Sequence, residues 1–244
     1  MVDNRKNSDP KEWQRSPWVQ ILAILIGVGP SYLLPIFGYL RGDQSLSFLD
    51  IFLYTTVLGT IMIIVMLLLL RYICGERIGD LNLKPGRWWG DILMGIGLSV
   101  VTLGVFMFLQ NPINAIFPRE VDSGLVEFFD ELVSDPVVFG LVMGPALIIG
   151  AGIFEELTRV FLLTRLWNIN SSLVFRWLTI VLSAIVFGLG HLYQGPAGII
   201  STGIYGLILA VYYNLRGRVI PMMLAHYLHD AIQLAAVFTM ANLT

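Results

Sequence analysis

The sequence predicts an all-α fold, a polytopic transmembrane helical bundle of seven or eight spans. Three observations predict it. Of the 244 residues, 56% are apolar and only 13% are charged, with a mean hydropathy of +0.76; an ordinary soluble domain is about 45–50% apolar and about 25% charged. The apolar residues gather into runs long enough to cross a bilayer as helices, which takes about 20 residues. The connections between the runs alternate between rich and poor in Lys and Arg, as loops on the two sides of a membrane do. Disorder is excluded by the same apolar excess. A collagen-like repeat fails because Gly is not periodic, a coiled coil because charged heptads are absent, and a disulfide scaffold because there is one cysteine. The net charge of −2 gives no field directed at nucleic acid.

Residues 1–17 form a polar tail with Arg5, Lys6, Lys11 and Arg15. The apolar run after it is too long for a cleavable signal core and lacks a small-x-small exit, so it reads as the first anchor. Residues 18–244 then make one transmembrane domain. The runs cover approximately 18–40, 49–73, 89–110, 136–166, 173–190, 196–215 and 219–241. The fourth is about 30 residues, roughly 45 Å as a straight helix, and must tilt, break or extend past the membrane. Pro145, with Gly140, Gly144, Gly150 and Gly152, offers places to bend, and a break there gives the eighth span. Trp88 and Trp89 open the third run beside Arg87, as interfacial belt residues do. Between the third and fourth runs, Val121, Leu125, Phe128, Phe129 and Leu132 stand at helical spacing among acids and suggest a short surface helix. Cys74 reads as a small, inert residue at the end of the second run.

Loop charge sets the orientation. The loop at 41–48 carries Arg41; that at 71–88 carries Arg71, Arg77, Lys84 and Arg87. The long connection 111–135 holds Arg119 against six acids. Arg165 and Arg176 flank the next connection, the turn at 191–196 has no Lys or Arg, and Arg216 and Arg218 precede the last run. The positive-inside rule therefore predicts a multi-pass cell-membrane protein with a cytoplasmic N-terminus.

The ionisable residues are unevenly placed. The interiors of the first three runs have none; Asp50 and Asp91 lie at entrances. The later runs contain Glu155, Glu156 and Arg159, then His191, then His226, His229 and Asp230. One charge at a helix centre costs about 2.5–3.5 kcal/mol on insertion scales, so such residues face the bundle interior and mark a site. Holding helices together does not require acids and histidines on three separate helices. Glu155 and Arg159 are i,i+4, Glu156 and Arg159 are i,i+3, and His226 and Asp230 are i,i+4, so each pair shares a face. Adjacent glutamates point about 100° apart, which lets one face a cavity while Arg159 holds the other. A carboxylate and a histidine can share a water and take its proton. A second, supported histidine can stabilise the oxyanion formed on a carbonyl. The chemistry is then peptide hydrolysis by an activated water. The same residues could instead hold zinc through His191, His226 and a carboxylate, drawing on Glu155 and Asp230, with the other acid as base. No H-E-x-x-H is present, and composition does not choose between the two.

The segments F-E-E-L-T-R-V-F-L-L (154–163), S-A-I-V-F-G-L-G-H-L-Y-Q-G (183–195) and L-A-H-Y-L-H-D-A (224–231) resemble, in order, the three motifs of the CPBP family. Its members are type II CAAX prenyl proteases and bacteriocin-processing or abortive-infection proteins. The resemblance covers about residues 136–241, the implied catalytic core, and implies a CAAX-prenyl-protease-like intramembrane endopeptidase, of bacterial inner-membrane type. It implies that Glu155 activates water with His191, that Glu156 and Arg159 form a supporting pair, that His226 and Asp230 bind the oxyanion, and that Phe187 packs against the site. The implied partners are the bilayer and a membrane-embedded or lipidated peptide, for instance one of CAAX type, with no cofactor required. Two positions depart from the family pattern. Its Arg stands four residues after the second Glu, where this chain has Val160, and its Asn is replaced by Asp230. A metal-dependent form of the protease, a non-catalytic membrane scaffold or immunity protein, and an ion-coupled transporter are the competing readings.

Overall fold

The structure, a computed structural model, describes residues 11–41, 47–81, 83, 88–117 and 123–243. Arg5, Lys6, Lys84, Arg87, Arg119 and Val121 lie outside the described residues. Most of the described residues are helical and none forms a strand. The helices are α1 (Pro17–Gly27), α2 (Gly29–Arg41), α3 (Phe48–Ile73), α4 (Trp88–Ile116), α5 (Ser123–Ser134), α6 (Pro136–Ile169), α7 (Leu173–Leu189), α8 (Gly195–Arg216) and α9 (Ile220–Leu243).

Each apolar run becomes a helix, but not every helix meets the requirement for a crossing. Four are long and apolar enough: α3, α4, α6 and Leu192–Arg216. The first run is a pair, α1 and α2, bent by 46° and able to form a fifth crossing. The break falls at Val28, two residues before Pro30, which lacks the amide needed to continue the ladder. Helix α7 is apolar but has only 17 residues. Helix α9 is long enough but carries His226, His229, Asp230 and Gln233.

The break that would have produced an eighth span does not occur. Helix α6 runs unbroken for 34 residues through Pro145. Its hydrogen bonding widens to the π type across Val142–Glu155. A wider turn relieves the crowding between a proline ring and the preceding carbonyl. Sheltered by its neighbours, α6 buries Glu156, Leu157, Thr158, Arg159, Val160, Phe161, Leu162 and Leu163 in succession. A helix buried on every side is the central helix of a bundle.

Around α6, helix α1 packs on its second half, while α3 and α9 pack on its first. The closest pairings are α7 with α8 and α4 with α9. Small residues allow the approach. A Cβ on Gly188 of α7 would stand 2.5 Å from the Ile199 carbonyl of α8, and one on Gly95 of α4 would stand 2.8 Å from Leu224 of α9. Helix α5 is amphipathic as expected, but it packs against the bundle. Phe128 and Leu132 bury themselves with Val138 and Val142.

Two of the cations used for orientation are structural. Arg165 is fully buried, pairs with Glu76 and donates to Gln20 Oε1 at 3.1 Å. Arg218 pairs with Asp91, its Nε lying 2.6 Å from Oδ1. Trp88 and Trp89 are exposed and stacked. Cys74 is 1% exposed and belongs to the main apolar cluster.

Candidate active site

Glu155 ends the widened stretch of α6 and Glu156 begins the regular turns after it. The two side chains diverge. Glu156 is fully buried and all its contacts are made by protein. Arg159 grips it with Nε to Oε2 and Nη2 to Oε1, both at 3.1 Å. The offset of three residues therefore serves, because one helical turn brings a long guanidinium beside the carboxylate. The third edge of Arg159 donates to the Gly206 carbonyl at 3.1 Å, and its face lies 4.1 Å from the centre of the Phe187 ring. Gly206 is required here, since a Cβ would stand 2.7 Å from Nη1 of Arg159.

His226 joins this unit from α9. Its Nδ1 lies 2.7 Å from Oε1 of Glu156. An Arg-bound carboxylate accepts, so Nδ1 carries the hydrogen and Nε2 is aimed away from the pair. Nε2 then faces Glu155 Oε2 and Asp230 Oδ2, each at 3.7 Å, too long for a hydrogen bond. Asp230 is one turn further along α9 and partly exposed. Glu155 Oε2 is buried and has no hydrogen-bond partner. A buried carboxylate oxygen without a partner is costly unless something outside the protein fills the position.

His191 caps the short turn Leu192–Gln194 after α7. Its Nδ1 is 2.9 Å from the Phe187 carbonyl, which can only accept, so the opposite nitrogen Nε2 is free to act as an acceptor. The His191 ring leans on Phe187 at 4.8 Å. No hydrogen bond or ion pair joins His191 to Glu155, but it lies within electrostatic reach of both Glu155 and His226. Phe187 thus touches Arg159, His191 and His226 at once.

The sequence placed His226, Glu155, Glu156, Arg159 and Asp230 together, and they do meet. His229 goes elsewhere: its Nδ1 bonds Thr102 on α4 at 3.1 Å and it ties α9 to that helix. Tyrosines were not anticipated. Tyr205 of α8 lies against His226 at 4.8 Å and His229 at 4.5 Å, with its hydroxyl buried and unpartnered. Tyr32, Tyr54 and Tyr193 come within electrostatic reach of Glu155 from α2, α3 and the turn after α7. An apolar run carries no signal that selects one tyrosine over another.

Among the described residues no group of three or more His, Cys, Asp or Glu side chains is arranged to hold a metal ion.

This geometry lies within a recognisable segment. Residues 137–232 match the family described as type II CAAX prenyl endopeptidase, Rce1-like. The segment is similar to that family. It covers less than half of the chain and contains Glu155, Glu156, Arg159, Phe187, His191, His226 and Asp230. No curated protein and no solved structure gives a match. In the matched segment, α6 supplies the two glutamates and the arginine, α7 and its exit turn supply Phe187 and His191, and α9 supplies His226 and Asp230. Helices α1 to α5 lie wholly outside it, yet they furnish Tyr32, Tyr54 and Thr102 to its surroundings.

Proposed function

We propose that the protein is an intramembrane endopeptidase that hydrolyses a peptide bond in a membrane-associated substrate of the CAAX-type prenylated class. The observation that carries this reading is the buried, unpartnered Oε2 of Glu155 facing Nε2 of His226 across 3.7 Å. A water bound by Glu155 and the free nitrogen of His191 loses its proton to one of them. Its oxygen adds to the scissile carbonyl, and the carbonyl becomes an oxyanion. His226, protonated on Nε2 and oriented by Glu156, donates to that oxyanion; Asp230 holds the charge of the ring. The tetrahedral species collapses, the C–N bond breaks, and the proton taken from water passes to the leaving amine. We further propose seven crossings with a cytoplasmic N-terminus in a bacterial cell membrane.

The test is cleavage of a defined farnesylated peptide by purified protein in lipid, with and without a strong chelator. Glu155→Gln should lower the rate by about 10²–10⁴-fold, the usual size of a lost acid–base catalyst. His191→Ala should do the same, with the melting temperature of both variants near wild type. Undiminished cleavage in both variants overturns the mechanism. Loss of cleavage in chelator, restored by zinc, overturns the metal-free form of it. Absence of cleavage by the wild type against every lipidated peptide supports the scaffold reading instead.

A further inference from the structure

Arg176, one turn into α7, is set apart from the other buried or paired arginines. Its guanidinium lies 4.3 Å over the Trp167 ring, and Trp167 in turn stacks on Tyr213 at 5.8 Å. The stack fixes the plane of the guanidinium. Its Nε is buried without a hydrogen-bond partner, and no carboxylate among the described residues pairs with it. Arg165, Arg159 and Arg218, by contrast, each hold an acid.

The group borders an open recess of about 380 Å³ at the end of the bundle where α6 and α8 finish and α7 begins. Thr164, Asn168, Ser171, Asn214 and Gly217 line the rest. Asn214 and Ser171 offer side-chain donors that make no hydrogen bond among the described residues. Asn168 contacts Glu76 at 2.9 Å, but Glu76 is already neutralised by Arg165. Along α6, Thr164 is about 13 Å from Glu155, so the recess is separate from the hydrolytic centre. A fixed guanidinium with open N–H edges, flanked by neutral donors, suits a tetrahedral oxyanion that accepts several hydrogen bonds.

We propose that this recess binds a phosphate group, with Arg176 as its charged anchor and Asn214 and Ser171 as further donors. Its place at a helix-bundle end favours the phosphate of an anionic phospholipid, as basic recesses between transmembrane helices do. Free phosphate shares the chemistry and is separated by the test.

The experiment uses the full chain in detergent. Wild type, Arg176→Gln and Asn214→Asp are each incubated with phosphatidylglycerol or phosphatidylcholine, and retained lipid is read by native mass spectrometry. Melting is also followed in millimolar inorganic phosphate. Wild type should retain phosphatidylglycerol over phosphatidylcholine, and both variants should lose about tenfold of that retention, the effect of one charge-assisted contact. Asn214→Asp leaves the Arg176–Trp167 stack in place and puts a carboxylate in the recess, so it decides the matter if Arg176→Gln does not fold. Phosphate that raises the melting temperature of wild type only, without lipid preference, assigns the site to the free ion. Equal retention of the two lipids with no response to phosphate, or variants that retain phosphatidylglycerol like wild type, overturns the proposal.

Discussion

Glu155 and Glu156 are chain neighbours in opposite situations. Glu156 has both oxygens taken by Arg159 and His226, whereas Glu155 keeps a buried oxygen with no partner. The consequence is that substitutions at the two positions fail differently. Removing Arg159 leaves the fully buried Glu156 carboxylate with His226 as its remaining partner, and breaking a buried pair in this way costs about 3–5 kcal/mol. Arg159→Met should therefore lower the melting temperature in detergent sharply. Adding Glu156→Gln should recover part of the loss, because the stranded charge is gone. Such coupling is what contacting residues show, and strictly additive losses would mean the two side chains do not form a unit. The i,i+3 and i,i+4 spacings in the sequence already said that Arg159 would take one glutamate. They could not say which, because both are within its reach. The choice is made by His226, which arrives from 70 residues further along the chain and needs a carboxylate at Nδ1.

At the scale of elements, the sequence located helices well and their depths poorly. Counting residues from helix ends, His226 lies about 9 Å from the start of α9 and Glu156 about 20 Å from the end of α6. Yet Nδ1 and Oε1 are 2.7 Å apart. Helix α6 must then project beyond the start of α9 by roughly 11 Å, which no hydropathy pattern records. That overhang carries Thr164, Trp167 and Asn168 to the wall of the recess beside Arg176. The unbroken passage of α6 through Pro145 was equally hidden, because a proline marks where a helix can bend and its neighbours decide whether it does. Packing between α7 and α8 is where an element-level change should be felt. Gly188→Ala drives a methyl to 2.5 Å from the Ile199 carbonyl, a backbone atom that a rotamer change cannot clear. The expected cost is about 1–3 kcal/mol, the range for overpacking. Since Phe187 and His191 ride on the same helix end, hydrolysis should fall along with the melting temperature. A wild-type melting temperature for Gly188→Ala would show that the two helices are not in contact there.

For the whole molecule, the question is which way the bundle faces. Composition and loop charge predict the orientation, but two of the cations counted, Arg165 and Arg218, are bound to acids, which leaves the rule resting on fewer free charges. Cysteine chemistry can settle it with little interference from the native thiol. Cys74 is the sole cysteine, is 1% exposed, and burial pushes its thiol up from the ordinary range, so it should ignore a maleimide in the folded protein. Ser134 and Ser171 are exposed on either side of α6, the 34-residue helix that is long and apolar enough to make one crossing between them. With a membrane-impermeant maleimide, Ser171→Cys should label in inverted vesicles and Ser134→Cys in intact spheroplasts. The reverse pattern would place the N-terminus outside if the remaining runs cross as proposed. Labelling of both positions from one side would remove α6 as a crossing, and with it the lipid-sheltered setting in which Glu155, His191 and His226 are proposed to act.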